Sequence, residues 1–358
     1  MKDEIVNINN FEDVTNKQNK VKKKSKILFI LVIVLDLIAL FCLLMAYGPN
    51  KTFKNFLVTT AMSTMNHKYL ARTIYSDNTI KKVLEENCIV ELNEKTNTDS
   101  ITIGNYETSS FESKYEEQIL KKDNSEIYKI IKIKEEGRTF YLTVVYDPSR
   151  ISLVESTNVG ITGETVKNMA YNNSAILGIN AGGFEDYSGT GNGARATGTV
   201  IRNGKITWVG KNNRWGGGLV GFNKEYKLVL TKDSADKAIK DGMVDAVTFG
   251  PFLIVNGKES IVSGNGGSGK QPRTVIAQRK DGIVLFLVID GNGNKTGYRG
   301  GADFNDIITI LKRYKAYNAA NLDGGASSIL LENNNIVNNP VGYGETGERN
   351  HPNAWIVK

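Results

Sequence analysis

Ile131-Lys-Ile-Lys-Glu-Glu-Gly137-Arg-Thr-Phe140-Tyr-Leu-Thr-Val144 is where the chain changes its building rule. Ile131 and Ile133 alternate with Lys132 and Lys134, Gly137 turns the chain, and Phe140, Leu142 and Val144 alternate back toward Asp147-Pro148. Successive strand side chains point to opposite faces, so this period of two predicts a hairpin. Asn203-Gly204, between 199–202 and 205–209, and Asp281-Gly282, between 274–278 and 283–289, repeat the signal with favoured hairpin turns. Two helices interrupt the strands. One is expected near Glu164–Tyr171, the other near Asp303–Tyr317, where Phe304, Ile307, Ile308, Leu311 and Tyr314 form one apolar face. Short strands, tight turns and few helices predict an α+β domain over residues 127–358, with a mixed, mostly antiparallel sheet.

Upstream the rule is different. Only three of the 36 glycines (Gly48, Gly104, Gly137) precede residue 150. Residues 53–91 carry helical apolar spacing (Phe53, Phe56, Leu57, Ala61, Met65, then Ile80, Val83, Leu84), with Asp77 or Asn78 as the expected N-cap of the second helix. Residues 92–126 are polar and read as a linker, so 48–126 is expected to be a helical stalk and linker.

Ile27–Tyr47 is 21 residues long with one ionisable group, Asp36. At about 1.5 Å per residue it spans the hydrocarbon core, and it is longer than a signal-peptide apolar region, so a transmembrane helix is expected at 27–47. Six lysines between Lys17 and Lys26 precede it, which predicts a cytoplasmic basic tail over 1–26 and an extracellular C-terminal domain on a single-pass anchor in the cell membrane.

Composition narrows the chemistry. In 358 residues, 40% of them hydrophobic, there are two cysteines and two histidines, too few for a disulfide framework or a histidine-rich metal site. The net charge of +7 divides into +3 over residues 1–26, −1 from Asp36 and +5 over the other 311, without the cluster that nucleic-acid binding requires. No nucleic-acid partner and no required cofactor are expected.

Gly264-Asn-Gly266-Gly-Ser-Gly269-Lys270 resembles a phosphate-binding loop, but Gln271-Pro272 follows where Ser or Thr and a helix are needed. It reads as a flexible loop over the substrate. Asp290-Gly-Asn292-Gly-Asn294 begins like a calcium loop, but Gly301 stands where a bidentate Glu is required, so a divalent cation lacks support and no metal ligands are assigned. A triad through His351 fails because Gly325-Ala-Ser327-Ser-Ile329 lacks the second glycine of a nucleophile elbow. What remains is three strand exits: 176–179 runs into Asn180, 284–289 into Asp290, and 319–322 into Asp323, each with glycines nearby that let a ligand approach the backbone.

Gly178-Ile-Asn180-Ala-Gly-Gly-Phe184, Thr248-Phe-Gly250-Pro251, Gln271-Pro-Arg273-Thr274, Asp290-Gly291 and Asn321-Leu-Asp323-Gly-Gly-Ala-Ser-Ser328 together resemble the phosphodiester glycosidase family, over about residues 127–358. That family includes the lysosomal uncovering enzyme and bacterial exopolysaccharide biosynthesis proteins. Ala326 stands where the family usually has a third glycine, and Glu348-Arg349 with Asn353-Ala354 resembles its closing strand. The resemblance implies hydrolysis of a sugar whose anomeric oxygen is part of a phosphodiester, here in a surface polysaccharide or wall polymer. A phosphate leaving group needs little acid assistance and rewards a cation that holds it. On this basis Asp323 and Asp290 are expected as nucleophile or general base and Arg273 as the phosphate-gripping cation. Asn180, Gly182, Gly183, Gly324, Gly325, Ser327 and Ser328 are expected to bind sugar or phosphate. The alternatives are a non-catalytic polysaccharide-binding or scaffold module, and an anchored partner protein acting through its stalk.

Overall fold

The structure is a computed structural model that describes residues 9–64, 67–104, 110–186, 189–211, 216–290, 300–342 and 346–358. The chain divides at Leu57/Val58 into two units.

In the first unit a single helix, Asn9–Tyr47, takes in most of the lysine-rich segment as well as the apolar run. Its Val21–Tyr47 portion is long and apolar enough to cross a membrane. The helix begins well before residue 27 because Lys, Gln and Glu are good helix formers.

The second unit is built on a seven-stranded sheet in the order 258–259, 252–255, 316–321, 273–279, 284–289, 138–145, 128–135. Two five-stranded sheets accompany it. One runs 205–208, 200–202, 243–249, 218–223, 228–231, and the other 335–336, 330–332, 177–180, 353–357, 151–155. Every ladder among the described residues is antiparallel. The α+β reading holds.

Strand 284–289 shows how the layers stack. Val284, Phe286 and Val288 enter one core, shared with Leu177, Ile179, Val220, Phe222 and Trp355 of the five-stranded sheets. Leu285, Leu287 and Ile289 enter the other, under the helix Phe304–Arg313. All six are fully buried, and at about 1.5–3 kcal/mol per buried side chain this strand anchors both layers. The helix Val166–Asn172 closes the far face of the second five-stranded sheet over Val154, Ile329, Leu331 and Ile356.

All three predicted hairpins form. Glu136 and Gly137, and Asn203 and Gly204, have the paired positive φ values of tight hairpin turns, whereas in the third only Gly282 does. The last predicted helix was too long. It is capped by the Asp303/Asp306 box and ends at Arg313. Lys315 then takes φ +58°, and Ala316–Asn321, although alanine-rich, becomes a central strand because pairing on both sides outweighs helix propensity. The N-cap of Asp77–Glu86 is Ser76, whose hydroxyl accepts from Thr79 N at 3.3 Å, one residue earlier than expected.

The expected boundary at 126/127 is not a break in packing. Ile89–Val90 pairs with Ile261–Val262, Glu91 accepts from Phe252 N at 2.7 Å, and the Thr96 hydroxyl exchanges hydrogen bonds with the Leu230 backbone. Ile119 is fully buried in the core under the 304–313 helix, and its carbonyl accepts from the Tyr146 hydroxyl. Residues 58–126 are therefore part of the domain rather than a free stalk and linker.

Candidate functional site

The turn Asp323–Ser328 leaves the central strand 316–321 and is held from below by Asn180. The Asn180 amide donates to Asp323 O at 2.7 Å, while its oxygen accepts from the Thr274 hydroxyl at 2.8 Å and from Ile329 N at 3.2 Å. Asn180 is fully buried. Its polar atoms are spent on clamping three segments, so the expected bond to a sugar hydroxyl gives way to a positioning role. Asn321 braces the same strand by donating to Gly250 O at 2.9 Å, which gives the Gly250-Pro251 motif its place.

The Asp323 carboxylate is half-buried, and burial pushes its pKa up to about 6. The Ser327 hydroxyl, the positive charge of Arg349 and the Gly324 N–H oppose that rise in descending order. Gly325 N donates to Pro272 O at 2.7 Å. Both glycine N–H groups are thus committed inside the protein, and neither is the phosphate donor expected from sequence. A Cβ at Gly325, where φ is +63°, would meet nothing within 4 Å among the described residues. Ser327 acts on Asp323, and the buried Ser328 hydroxyl has no partner among the described residues.

Gly182 and Gly183 answer to packing. Gly182 N donates to Asn353 Oδ1 at 2.8 Å, and a Cβ at Gly183 would lie 2.6 Å from the Phe249 ring.

Arg273 is buried against the same turn, since a Cβ on Gly324 would lie 3.6 Å from its Cδ. Its guanidinium stacks 4.3 Å from the Phe304 ring centroid and donates to Ser268 Oγ at 2.6 Å, Gly269 O at 3.0 Å and Ala302 O at 3.3 Å. Burial lowers its pKa to about 10, so it remains cationic at neutral pH. The predicted covering loop therefore closes on Arg273. Its other end is fastened by Asn265, whose backbone N donates to Asn87 Oδ1 at 3.1 Å and whose side-chain amide donates to the Thr59 hydroxyl at 2.8 Å.

Asp290 belongs to the same network at one remove. It accepts from Asn339 N at 2.9 Å and Asn339 Nδ2 at 3.2 Å, and hydrogen bonds with Asn338 and Tyr141 further offset the rise that burial imposes on its pKa. Asn338 in turn donates to Ser328 O at 3.0 Å. Gly291 and the rest of the calcium-like stretch through Asn294 lie outside the described residues. Among the described residues no group of three or more His, Cys, Asp or Glu is placed to hold a metal ion.

The cation whose field reaches Asp323 is one that sequence reasoning left out of the site, Arg349. It donates to Asp186 Oδ2 at 3.0 Å, lies 4.6 Å from the Phe184 ring centroid, and has a buried Nε without a hydrogen-bond partner among the described residues. Gly191 leaves room for it, because a Cβ there would lie 3.2 Å from Nε. The available signal was Glu348-Arg349 beside Asp186, residues already inside or next to the quoted motifs. His351 packs edge-on to Phe184, and burial followed by the Arg349 charge pulls its pKa down to about 3, so it is neutral and does not serve as a charged partner.

A family model described as phosphodiester glycosidase matches residues 173–358. Among solved structures, the chain is similar to the catalytic domain of zebrafish N-acetylglucosamine-1-phosphodiester alpha-N-acetylglucosaminidase, auto-inhibited by its pro-peptide. That likeness has 20% identity and a TM-score of 0.52 over 66% of this chain and 85% of that one. A hypothetical protein from Synechocystis matches at 15% identity and TM-score 0.44 over 64% and 62%, and a Burkholderia pseudomallei protein thought to be exported at 15% and 0.45 over 62% and 74%. No curated protein matches the sequence. The zebrafish likeness carries the fold.

Proposed function

The chain belongs to the phosphodiester glycosidase family, and from that premise we propose that it is a membrane-anchored, extracytoplasmic hydrolase of sugar 1-phosphodiester linkages in a surface polysaccharide or wall polymer. The observation that carries this reading is the Asp323 carboxylate, raised by burial to a pKa of about 6 and within the field of Arg349, on a turn that leaves room at Gly325 among the described residues. A base is most effective when its pKa lies near the working pH.

In this mechanism the bond between the anomeric carbon and the bridging oxygen breaks, and its electron pair leaves on the phosphate monoester. Water supplies the hydroxyl that replaces it on the sugar, and Asp323 takes the water's proton. The ionised carboxylate also stabilises the positive charge that develops at the anomeric carbon. Arg349, whose Nε has no partner among the described residues, holds the departing phosphate, and a guanidinium suits that task because its planar fork matches two phosphate oxygens. Ser327 and Asn180 keep the carboxylate and its turn in place. Arg273 secures the loop 268–269 against the turn, and Asp290 with Asn338 braces the Ser328 end.

The lysines ahead of the apolar span support a cytoplasmic N-terminus and an extracytoplasmic domain. The test is incubation of the chain, in detergent, with a panel of sugar 1-phosphodiesters while free reducing sugar is measured. Release of sugar by the native chain and its loss in Asp323→Asn is the expected result. Binding without release by the native chain, across the panel, would replace the enzyme with a polysaccharide-binding module.

A further inference from the structure

Next to the strip that holds Arg349 lies a cleft of about 350 Å³ that the hydrolytic mechanism does not use. The strip does two jobs. Phe184 and Asp186 hold Arg349, and Glu185 between them lines the cleft. Trp208 lines it as well, and its indole N–H donates to Ala196 O at 2.9 Å and so fixes the ring. Gly160, at φ +88°, brings no side chain to the ring. A Cβ there would sit 3.3 Å from Cζ3, so the absence of a side chain lets the chain pass close to the ring edge.

Two exposed cations, Arg195 and Lys211, complete the wall. Arg195 makes one long hydrogen bond, to Gly160 O at 3.5 Å, and neither cation forms an ion pair among the described residues. The Glu185 Oε1 is buried and has no hydrogen-bond partner among the described residues. An unsatisfied buried acceptor is costly, so this site is suited to a donor supplied by a ligand.

These groups match one ligand chemistry. A fixed indole offers a surface for the C–H face of a pyranose, a carboxylate oxygen accepts from a sugar hydroxyl, and two unpaired cations answer a phosphate. A bare polyanion would meet Glu185 as a repulsive charge, and a neutral glycan would leave the cations unanswered. We infer that this cleft is a subsite for a further sugar-phosphate unit of the polymer, so that the substrate is an extended glycosyl-phosphate chain rather than a single capped sugar. The identity of the polymer as substrate rests on the proposed function, but the binding itself is separable from turnover.

The experiment is a calorimetric titration of the full chain in detergent with three probes: a glycosyl-phosphate trimer, its phosphate-free trisaccharide, and a single sugar 1-phosphate. Trp208→Ala is expected to weaken trimer binding by about 10-fold, the worth of one stacked aromatic contact. The double variant Arg195→Gln/Lys211→Gln should weaken the phosphate trimer and not the phosphate-free one, and neither change should alter binding of the single sugar phosphate. Because Arg195 and Lys211 are exposed, the double variant keeps the test valid if Trp208→Ala fails to fold. Unchanged trimer affinity in the double variant overturns the inference. Trimer binding that depends on both cations, in a chain that hydrolyses none of the panel, would uphold the subsite and sink the hydrolase reading instead.

Discussion

Replacing Asp323 by Asn should make the protein more stable and inactive at once. The Asp323 pKa rises from 3.8 to about 6 on folding, chiefly through burial. The folded state therefore holds this proton more tightly than the unfolded chain does, and the native protein loses stability as pH rises from about 4 through about 6. A rise of about two units at about 1.4 kcal/mol each gives a penalty of about 3 kcal/mol, fully present above pH 7 and absent below pH 4. Asn resembles the protonated side chain and carries none of that penalty. Denaturant titrations of both proteins across pH 4–8 should show Asp323→Asn ahead by about 3 kcal/mol at pH 7.5, with the gap closing toward pH 4. Turnover should fall by about 100-fold or more, because the charge required in the transition state is gone. A variant that is less stable by the same amount at every pH would refute the reasoning and make Asp323 a closure of its own turn through Gly324 and Ser327.

Other consequences are measurable. Arg349→Lys keeps a charge for Asp186 and Asp323 but loses the fork, so KM for a phosphodiester should rise about 10-fold while the acid limb of kcat/KM stays near pH 6; an unchanged KM would remove Arg349 from phosphate binding. Asn180→Ala strands the Thr274 hydroxyl, Ile329 N and Asp323 O in a fully buried place and should cost about 3 kcal/mol or more in a denaturant titration; a loss under about 1 kcal/mol would deny the clamp. Protease added to intact cells should degrade the domain beyond Tyr47 and spare the lysine-rich N-terminus, and protection of the domain until lysis would reverse the topology.

The hairpins and the three strand exits were legible because they are written locally, in a period of two and in turn residues such as Asn203-Gly204. Asp323 and Asn180 were found that way. What each does was not, because the difference between a carboxylate whose pKa is raised by burial and an amide spent on three protein partners lies in long-range contacts. The same holds for residues 92–126. Their polar side chains look like a linker, yet Thr96 bonds Leu230 and Thr102 N donates to Lys280 O at 2.8 Å, pairings that no local pattern announces. Arg349 escaped because its partner, Asp186, stands 163 residues away. The helix expected to reach Tyr317 overran by taking in Ala316 and Tyr317, which instead open a strand paired on both sides, where helix propensity counts for little.

Glycosidic cleavage is the claim on which the account turns, and the direct measurement is the fate of solvent oxygen. Hydrolysis of a sugar 1-phosphodiester in ¹⁸O-labelled water, followed by mass spectrometry of both products, reports which bond breaks. Breaking the anomeric carbon–oxygen bond places the label on the sugar and leaves the phosphate monoester unlabelled, as the account predicts. Label on the phosphate would mean attack at phosphorus, and would contradict a mechanism in which Asp323 directs water to the anomeric carbon.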